Sequence, residues 1–270
     1  MTESSYPDNE IPPLTYRPGK NCLQGQVILI TGAADGIGRA ASKAMAGHGA
    51  SLVLLDHNVR RLESLYDEIE AAGGPQPALY PLNLEGASPD DYMELATHVD
   101  DGMGKLDGLI HNAASLGRPS PIDHYDVEAW HRAMQANLNG PFMLTRACLP
   151  LLRRRPHGRI LFVSDAVGRR AKAYWGAYAV SKFAVEGLMQ TLAAELEGTT
   201  EIRVNSFDPG VVATTLRRNA YPAEDPTPLN RPEDVAVAFV YLMDRVSAET
   251  HGRALHMRSD TESDHSHSVQ

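Results

Sequence analysis

Tyr178 and Lys182 are the residues whose types and spacing could do chemistry. They lie four positions apart in Tyr174-Trp175-Gly176-Ala177-Tyr178-Ala179-Val180-Ser181-Lys182. On a helix that separation sets an ammonium over the same face as a phenol and favours the deprotonated phenol. A phenol tuned this way can give a proton to a carbonyl oxygen or take one from an alcohol. Taken alone the spacing is weak, because a packed tyrosine beside a solvated lysine reads the same. Asp165, thirteen residues before the tyrosine, works against the activation. At an assumed separation of about 6 Å and an effective dielectric near 20, the repulsion is about 2.8 kcal/mol, roughly two pKa units on Tyr178.

The elements that must hold this pair are readable from hydrophobic periodicity. Short apolar runs at 27–30, 52–55, 78–82, 106–110, 159–163, 202–206 and 254–257 alternate with longer amphipathic stretches. Those stretches cover 37–48, 59–72, 89–102, 127–152, 175–196 and 232–245. Several runs are apolar at consecutive positions, as strands are when helices cover both faces of their sheet. The alternation predicts an α/β chain with one Rossmann-like, doubly wound parallel sheet flanked by helices, a single domain over 25–258. Residues 1–24, interrupted by Pro7, Pro12, Pro13 and Pro18, predict an extended arm. Residues 259–270 predict a disordered polar tail, whose His265-Ser266-His267 is at most a weak chelator, and no metal site is expected.

The segment Thr31-Gly32-Ala33-Ala34-Asp35-Gly36-Ile37-Gly38 follows the first strand and opens a helix. Glycines there let backbone approach a pyrophosphate, and the helix start offers free N–H groups to its charge. Asp56 ends the next strand, where a carboxylate can accept both hydroxyls of an adenosine ribose and repel a 2′-phosphate. Asp35 adds a second negative charge to the loop. NAD is therefore the expected cofactor, with NADP less favoured but kept open by Arg39, His57, Arg60 and Arg61.

With both the glycine loop and Tyr-x-x-x-Lys present, the chain resembles the short-chain dehydrogenase/reductase family over roughly 25–258. Asn83-Leu84 resembles the family's adenine-side element with Asn for Asp, and His111-Asn112-Ala113-Ala114 its Asn-Asn-Ala-Gly segment, altered at both ends. Asn137, in Asn137-Leu138-Asn139-Gly140, matches the helix-bending asparagine; Pro209-Gly210 and Thr214 match the segment that closes over the nicotinamide. The wording of Trp175-Gly176-Ala177-Tyr178 and Ala220-Tyr221-Pro222 is most similar to YciK-type bacterial members. The resemblance implies a hydride transfer between nicotinamide and a secondary alcohol or ketone, with Tyr178 as acid/base. It also implies that Lys182 holds the nicotinamide ribose and that Asn137 holds a water linking Lys182 to solvent. Its cofactor contacts then fall on Gly32, Asp35, Gly36, Ile37, Gly38, Asp56, Asn83, Leu84, Asn112, Ala113, Pro209, Gly210, Val212 and Thr214, with Tyr178 and Lys182. A homodimer or homotetramer is the family-level expectation.

One position departs from the pattern: Asp165 stands where the family has serine. Ser164 is adjacent, but neighbouring strand residues point to opposite faces, so it substitutes only across a bulge. Three outcomes stay open for Asp165. It is protonated and donates as serine would; it is ionised and alters specificity; or the chain binds dinucleotide as a pseudoenzyme with a regulatory or structural role.

Composition narrows the setting. Hydrophobic residues make up 43% and charged residues 22%, with a formal net charge of −9. That balance predicts no nucleic-acid and no membrane partner, while the small-molecule substrate is what the resemblance implies. Cys22 and Cys148 are too few for a disulfide framework, so a cytoplasmic setting is expected.

Overall fold

Strands that are apolar at consecutive positions need a cover on each face, and the sheet has both. Along β2 (Val27–Thr31), Val27 and Leu29 pack into one hydrophobic cluster while Ile28 and Ile30 pack into another. The same alternation divides Leu109 from Ile110 in β5 (Gly108–His111), and Phe162 from Leu161 in β6 (Arg159–Val163). Side chains that alternate every residue thus fill two cores from one run.

The computed structural model describes residues 9–11 and 16–257; the expectations for 259–270 lie outside the described residues. The remaining strands are β1 (Glu10–Ile11), β3 (Ser51–Asp56), β4 (Ala78–Pro81), β7 (Arg203–Asp208) and β8 (Ala254–Met257). All eight pair in parallel in the order β1-β8-β7-β6-β5-β2-β3-β4. Helices α3 (Pro89–Met103), α5 (Gly140–Arg153) and α6 (Gly176–Leu196) cover one face. Helices α1 (Gly36–Gly47), α2 (Val59–Ala71) and α8 (Pro232–Met243) cover the other. The strand order reverses between β2 and β5, which leaves a crevice at their carboxyl ends, where doubly wound sheets bind ligands. Among the described residues no helix is long and apolar enough to cross a membrane, and no group of three or more metal-ligating side chains forms.

Two elements differ from expectation. The stretch 127–152 is not one helix: α4 (Val127–Met134) runs into a π turn at Gln135–Asn139 before α5 begins. Pro141 has no N–H to continue the α-helical ladder, which would bring it to the Asn137 carbonyl. The arm is extended at Glu10–Ile11, but as an added edge strand beside His256 and Met257, with Ile11 buried. Farther along, Tyr16 donates to Asp244 Oδ2 at 3.0 Å and Leu23 is fully buried, so residues 16–23 are anchored to the fold.

Candidate active site

A cavity of about 570 Å³ opens at the crevice and runs from Asp56 to Tyr178. Its Asp56 end is made of backbone. Gly32 has φ +65°, and a Cβ there would lie 2.8 Å from the Ala113 Cα. A Cβ on Gly38 would lie 2.0 Å from the Gly32 carbonyl oxygen, closer than any side chain allows. Asn112 holds this loop in place, since Nδ2 donates to the Thr31 and Gly32 carbonyls at 3.1 Å each. The amides of Asn112 and Ala113 donate to Thr31 Oγ1 at 3.0 and 3.1 Å. Sequence-expected Gly36, Ile37, Asn83 and Leu84 line the same end.

The two aspartates of this end differ. Asp56 is 9% exposed; Oδ2 accepts from the Ala34 amide at 3.2 Å and Oδ1 from the Asn58 amide at 2.9 Å. Asp35 is the N-cap of α1, accepting from the Gly36 amide at 2.9 Å, and its other oxygen takes Arg61 Nη1 at 2.7 Å. Burial pushes the Asp35 carboxyl up, but hydrogen bonds from Thr215 and Gly36 and the Arg61 cation outweigh it and hold it below the usual range. The expected extra negative charge on the loop is therefore matched by Arg61. Arg39 turns away to Glu68 at 2.7 Å, while His57 and Arg61 stay on the cavity wall. A glycine cradle, a helix start and a carboxylate at the neighbouring strand end together fit a diphosphate and a ribose.

The other end is made of buried side chains. Tyr178 and Lys182, one turn apart on α6, are each 4% exposed. The Tyr178 hydroxyl donates to Asp165 Oδ2 at 3.1 Å, and Asp165 Oδ1 accepts from the Val167 amide at 2.9 Å. Lys182 Nζ donates to the Val163 carbonyl at 2.6 Å and stands 5.6 Å from the centre of the Tyr178 ring. Burial pushes the Tyr178 hydroxyl well above the usual tyrosine range; the charge and hydrogen bond of Asp165 and the charge of Asp208 push the same way. Burial also lowers the Lys182 ammonium, although Asp165, Asp208 and Glu186 pull it up. The lysine-activated phenol expected from the spacing is reversed in this state. The ammonium is engaged by a backbone carbonyl and the phenol by a carboxylate.

Ser164 stays in register, its amide donating to the Phe207 carbonyl at 2.7 Å, so no bulge re-aims it towards Tyr178. It lines the cavity with a buried Oγ that has no hydrogen-bond partner. Asn137 lies in the π turn, and its side chain is fully engaged: Nδ2 donates to the Ser115 carbonyl and Ser181 Oγ at 2.9 Å each, and Oδ1 accepts from the Ser115 amide at 2.7 Å.

Pro209, Gly210, Val212 and Thr214 follow β7 along the cavity, and Thr214 caps α7 (Thr215–Ala220), which forms part of the cover. Arg217 donates to both Glu224 oxygens, at 2.6 and 2.5 Å, and stacks 3.9 Å from the Tyr221 ring centre. Trp175 stands between Tyr221, at 5.7 Å, and Tyr178, at 5.6 Å. Sequence reading did not reach Asp208. It lines the cavity, is 8% exposed, and accepts from the Gly210 amide at 2.8 Å through Oδ1. Burial and the nearby Asp165 raise its carboxyl above the usual range, although the Gly210 amide, Arg169 and His256 oppose them. The signal was its place directly before Pro209-Gly210.

Known proteins match this architecture. The family model for short chain dehydrogenases matches residues 26–225. The oxidoreductase YciK of Escherichia coli is 40% identical over 228 residues, covering 84% of this chain and 90% of that protein. A short chain dehydrogenase structure from Pseudomonas syringae is 48% identical with a TM-score of 0.88, covering 90% of this chain and 98% of the other. One from Shigella flexneri, complexed with NADP, is 39% identical with a TM-score of 0.86, covering 88% and 99%.

Proposed function

The chain belongs to the short-chain dehydrogenase family, and from that premise we propose that it moves a hydride between a nicotinamide dinucleotide and a secondary alcohol or ketone. The observation that carries this reading is the Tyr178 hydroxyl, buried in the same cavity as the glycine cradle with Lys182 one turn along. The bound dinucleotide supplies or accepts the hydride. Tyr178 gives its proton to the carbonyl oxygen, or takes one from the alcohol in the reverse direction. Lys182 turns its donors from the Val163 carbonyl to the nicotinamide ribose. Asn137 contributes its main-chain carbonyl, which has no α-helical donor because position 141 is proline, and that carbonyl holds a water on the way to Lys182. Gly32, Gly36, Ile37 and Gly38 carry the diphosphate. Asn83, Leu84, Asn112 and Ala113 flank the adenosine side, and Pro209, Gly210, Val212 and Thr214 flank the nicotinamide.

Asp56 favours NAD, because its carboxylate suits two ribose hydroxyls and repels a 2′-phosphate. NADP is the second reading, favoured by the NADP-bound Shigella relative and by His57 and Arg61 on the cavity wall. The reading includes a homodimer or homotetramer, with Phe142 on α5 and Val180 and Phe183 on α6 exposed for contact. The pseudoenzyme expectation finds no support in these relatives.

Calorimetry with NAD and with NADP tests the cofactor, and heat with neither removes the proposal. Nicotinamide absorbance over a panel of secondary alcohols and ketones tests the reaction. Turnover that survives Tyr178→Phe unchanged refutes the assigned role.

A further inference from the structure

Asp165 and Asp208 place two carboxylates beside Tyr178, at the ends of adjacent strands β6 and β7 and on the wall of one cavity. Neutral alcohol or ketone chemistry calls for neither. Asp208 is buried and Asp165 half-buried, burying a carboxylate without a cation costs free energy, and Lys182, Arg217 and Arg169 are engaged elsewhere. Lys182 donates to the Val163 carbonyl, Arg217 to Glu224, and Arg169 to Glu186 and the Leu255 carbonyl. Among the described residues, neither Asp165 nor Asp208 takes part in a salt bridge. Trp175 adds an aromatic face beside Tyr178.

Two carboxylates and an indole together make a receptor for a cation that donates hydrogen bonds. We propose that the substrate is a ketone or alcohol bearing a protonated amine close to the reacting carbon, and that Asp165 and Asp208 determine this specificity. The inference rests on reading the cavity as an alcohol/ketone oxidoreductase site. An ammonium group has three N–H donors, two of which suit Asp165 Oδ2 and the Asp208 carboxylate. By taking Asp165 Oδ2, it releases the Tyr178 hydroxyl from its present acceptor and frees it to meet the substrate oxygen. The substrate's own charge thereby completes the acid. In reduction the carbonyl carbon gains a hydride from the reduced nicotinamide and its oxygen gains the Tyr178 proton. The tyrosinate recovers a proton from solvent, the ammonium keeps its own, and the product is the amino alcohol.

The test uses pairs that differ only in NH3+ against CH3. Reduction of aminoacetone is compared with that of butanone, and calorimetric binding of isopropanolamine with that of sec-butanol, on cofactor-loaded protein. The wild-type chain is expected to favour the cationic member by about tenfold or more in both kcat/KM and Kd. Asp165→Ser and Asp208→Asn should each reduce that preference, and the double variant should abolish it. Melting temperatures close to wild type are expected, since Ser and Asn each keep an acceptor for the Val167 and Gly210 amides that Asp165 and Asp208 now bind. Equal handling of both members by the wild type, or a preference that survives the double variant, overturns the proposal. Cation-selective binding without turnover of either ketone would sink the oxidoreductase reading and leave the cation site standing. Turnover without cation preference would do the reverse.

Discussion

The two ends of the cavity are made of different things. At the Asp56 end the shape is set by backbone: Gly32 and Gly38 sit where a Cβ would strike main-chain atoms, and Asn112 ties the loop to β2. At the Tyr178 end the shape is set by buried polar side chains that compete for partners, and the winners are Asp165 for the phenol and the Val163 carbonyl for the ammonium. A backbone cradle has one arrangement and keeps it. A polar network has several, and a ligand can exchange one for another. The difference implies a division of labour in which one end binds rigidly and the other is rearranged by what enters.

Substitutions that hit one end and spare the other sharpen that contrast. Tyr178→Phe should lower kcat by about a thousandfold while leaving dinucleotide affinity within about twofold, read by single-turnover absorbance and calorimetry. Gly38→Ala should do the opposite. The added methyl overpacks the cradle, costs about 1–3 kcal/mol in stability and weakens dinucleotide binding by about tenfold or more, read by thermal melting and calorimetry. Asp56→Ala should shift the NADP-to-NAD preference by about tenfold towards NADP with kcat unchanged, read from the two Kd values. Arg217→Ala removes the Glu224 pair and the stack on Tyr221, and should raise KM by about fivefold through a looser cover. A Gly38→Ala protein with full dinucleotide affinity, or a Tyr178→Phe protein that loses it, would break the contrast.

The same contrast explains what was legible in the sequence. The sheet, its two covers and the glycine loop could be read because period-two burial and glycine requirements are local properties of the chain. Asp56 followed from its place at a strand end. The π turn was not read, although Pro141 marks where the ladder fails, because amphipathic spacing continues through it. The docked strand at Glu10–Ile11 depends on a partner some 250 residues away, at His256 and Met257, and its own stretch shows no period. Tyr178, Lys182 and Asp165 were found by spacing, but their hydrogen bonds were not. Spacing says which groups are near, and the choice between the Val163 carbonyl and the phenol depends on strand ends and burial. Asp208 shows the same limit, since a carboxylate before Pro209-Gly210 reads as a turn residue until β7 sets it beside Asp165.

The central claim is that Tyr178 is the acid/base and that Asp165 holds its proton in the resting site. The pH profile of neutral-alcohol oxidation, compared between wild type and Asp165→Ser, tests it most directly. Oxidation needs the deprotonated phenol, so its rate rises with pH through the Tyr178 value, which burial, Asp165 and Asp208 have pushed up. The variant keeps the burial but loses the charge and the hydrogen bond of Asp165. The expected result is a midpoint lower by about one pH unit or more, with faster reduction of a neutral ketone at neutral pH. A midpoint that stays where it was, or moves up, would contradict the claim.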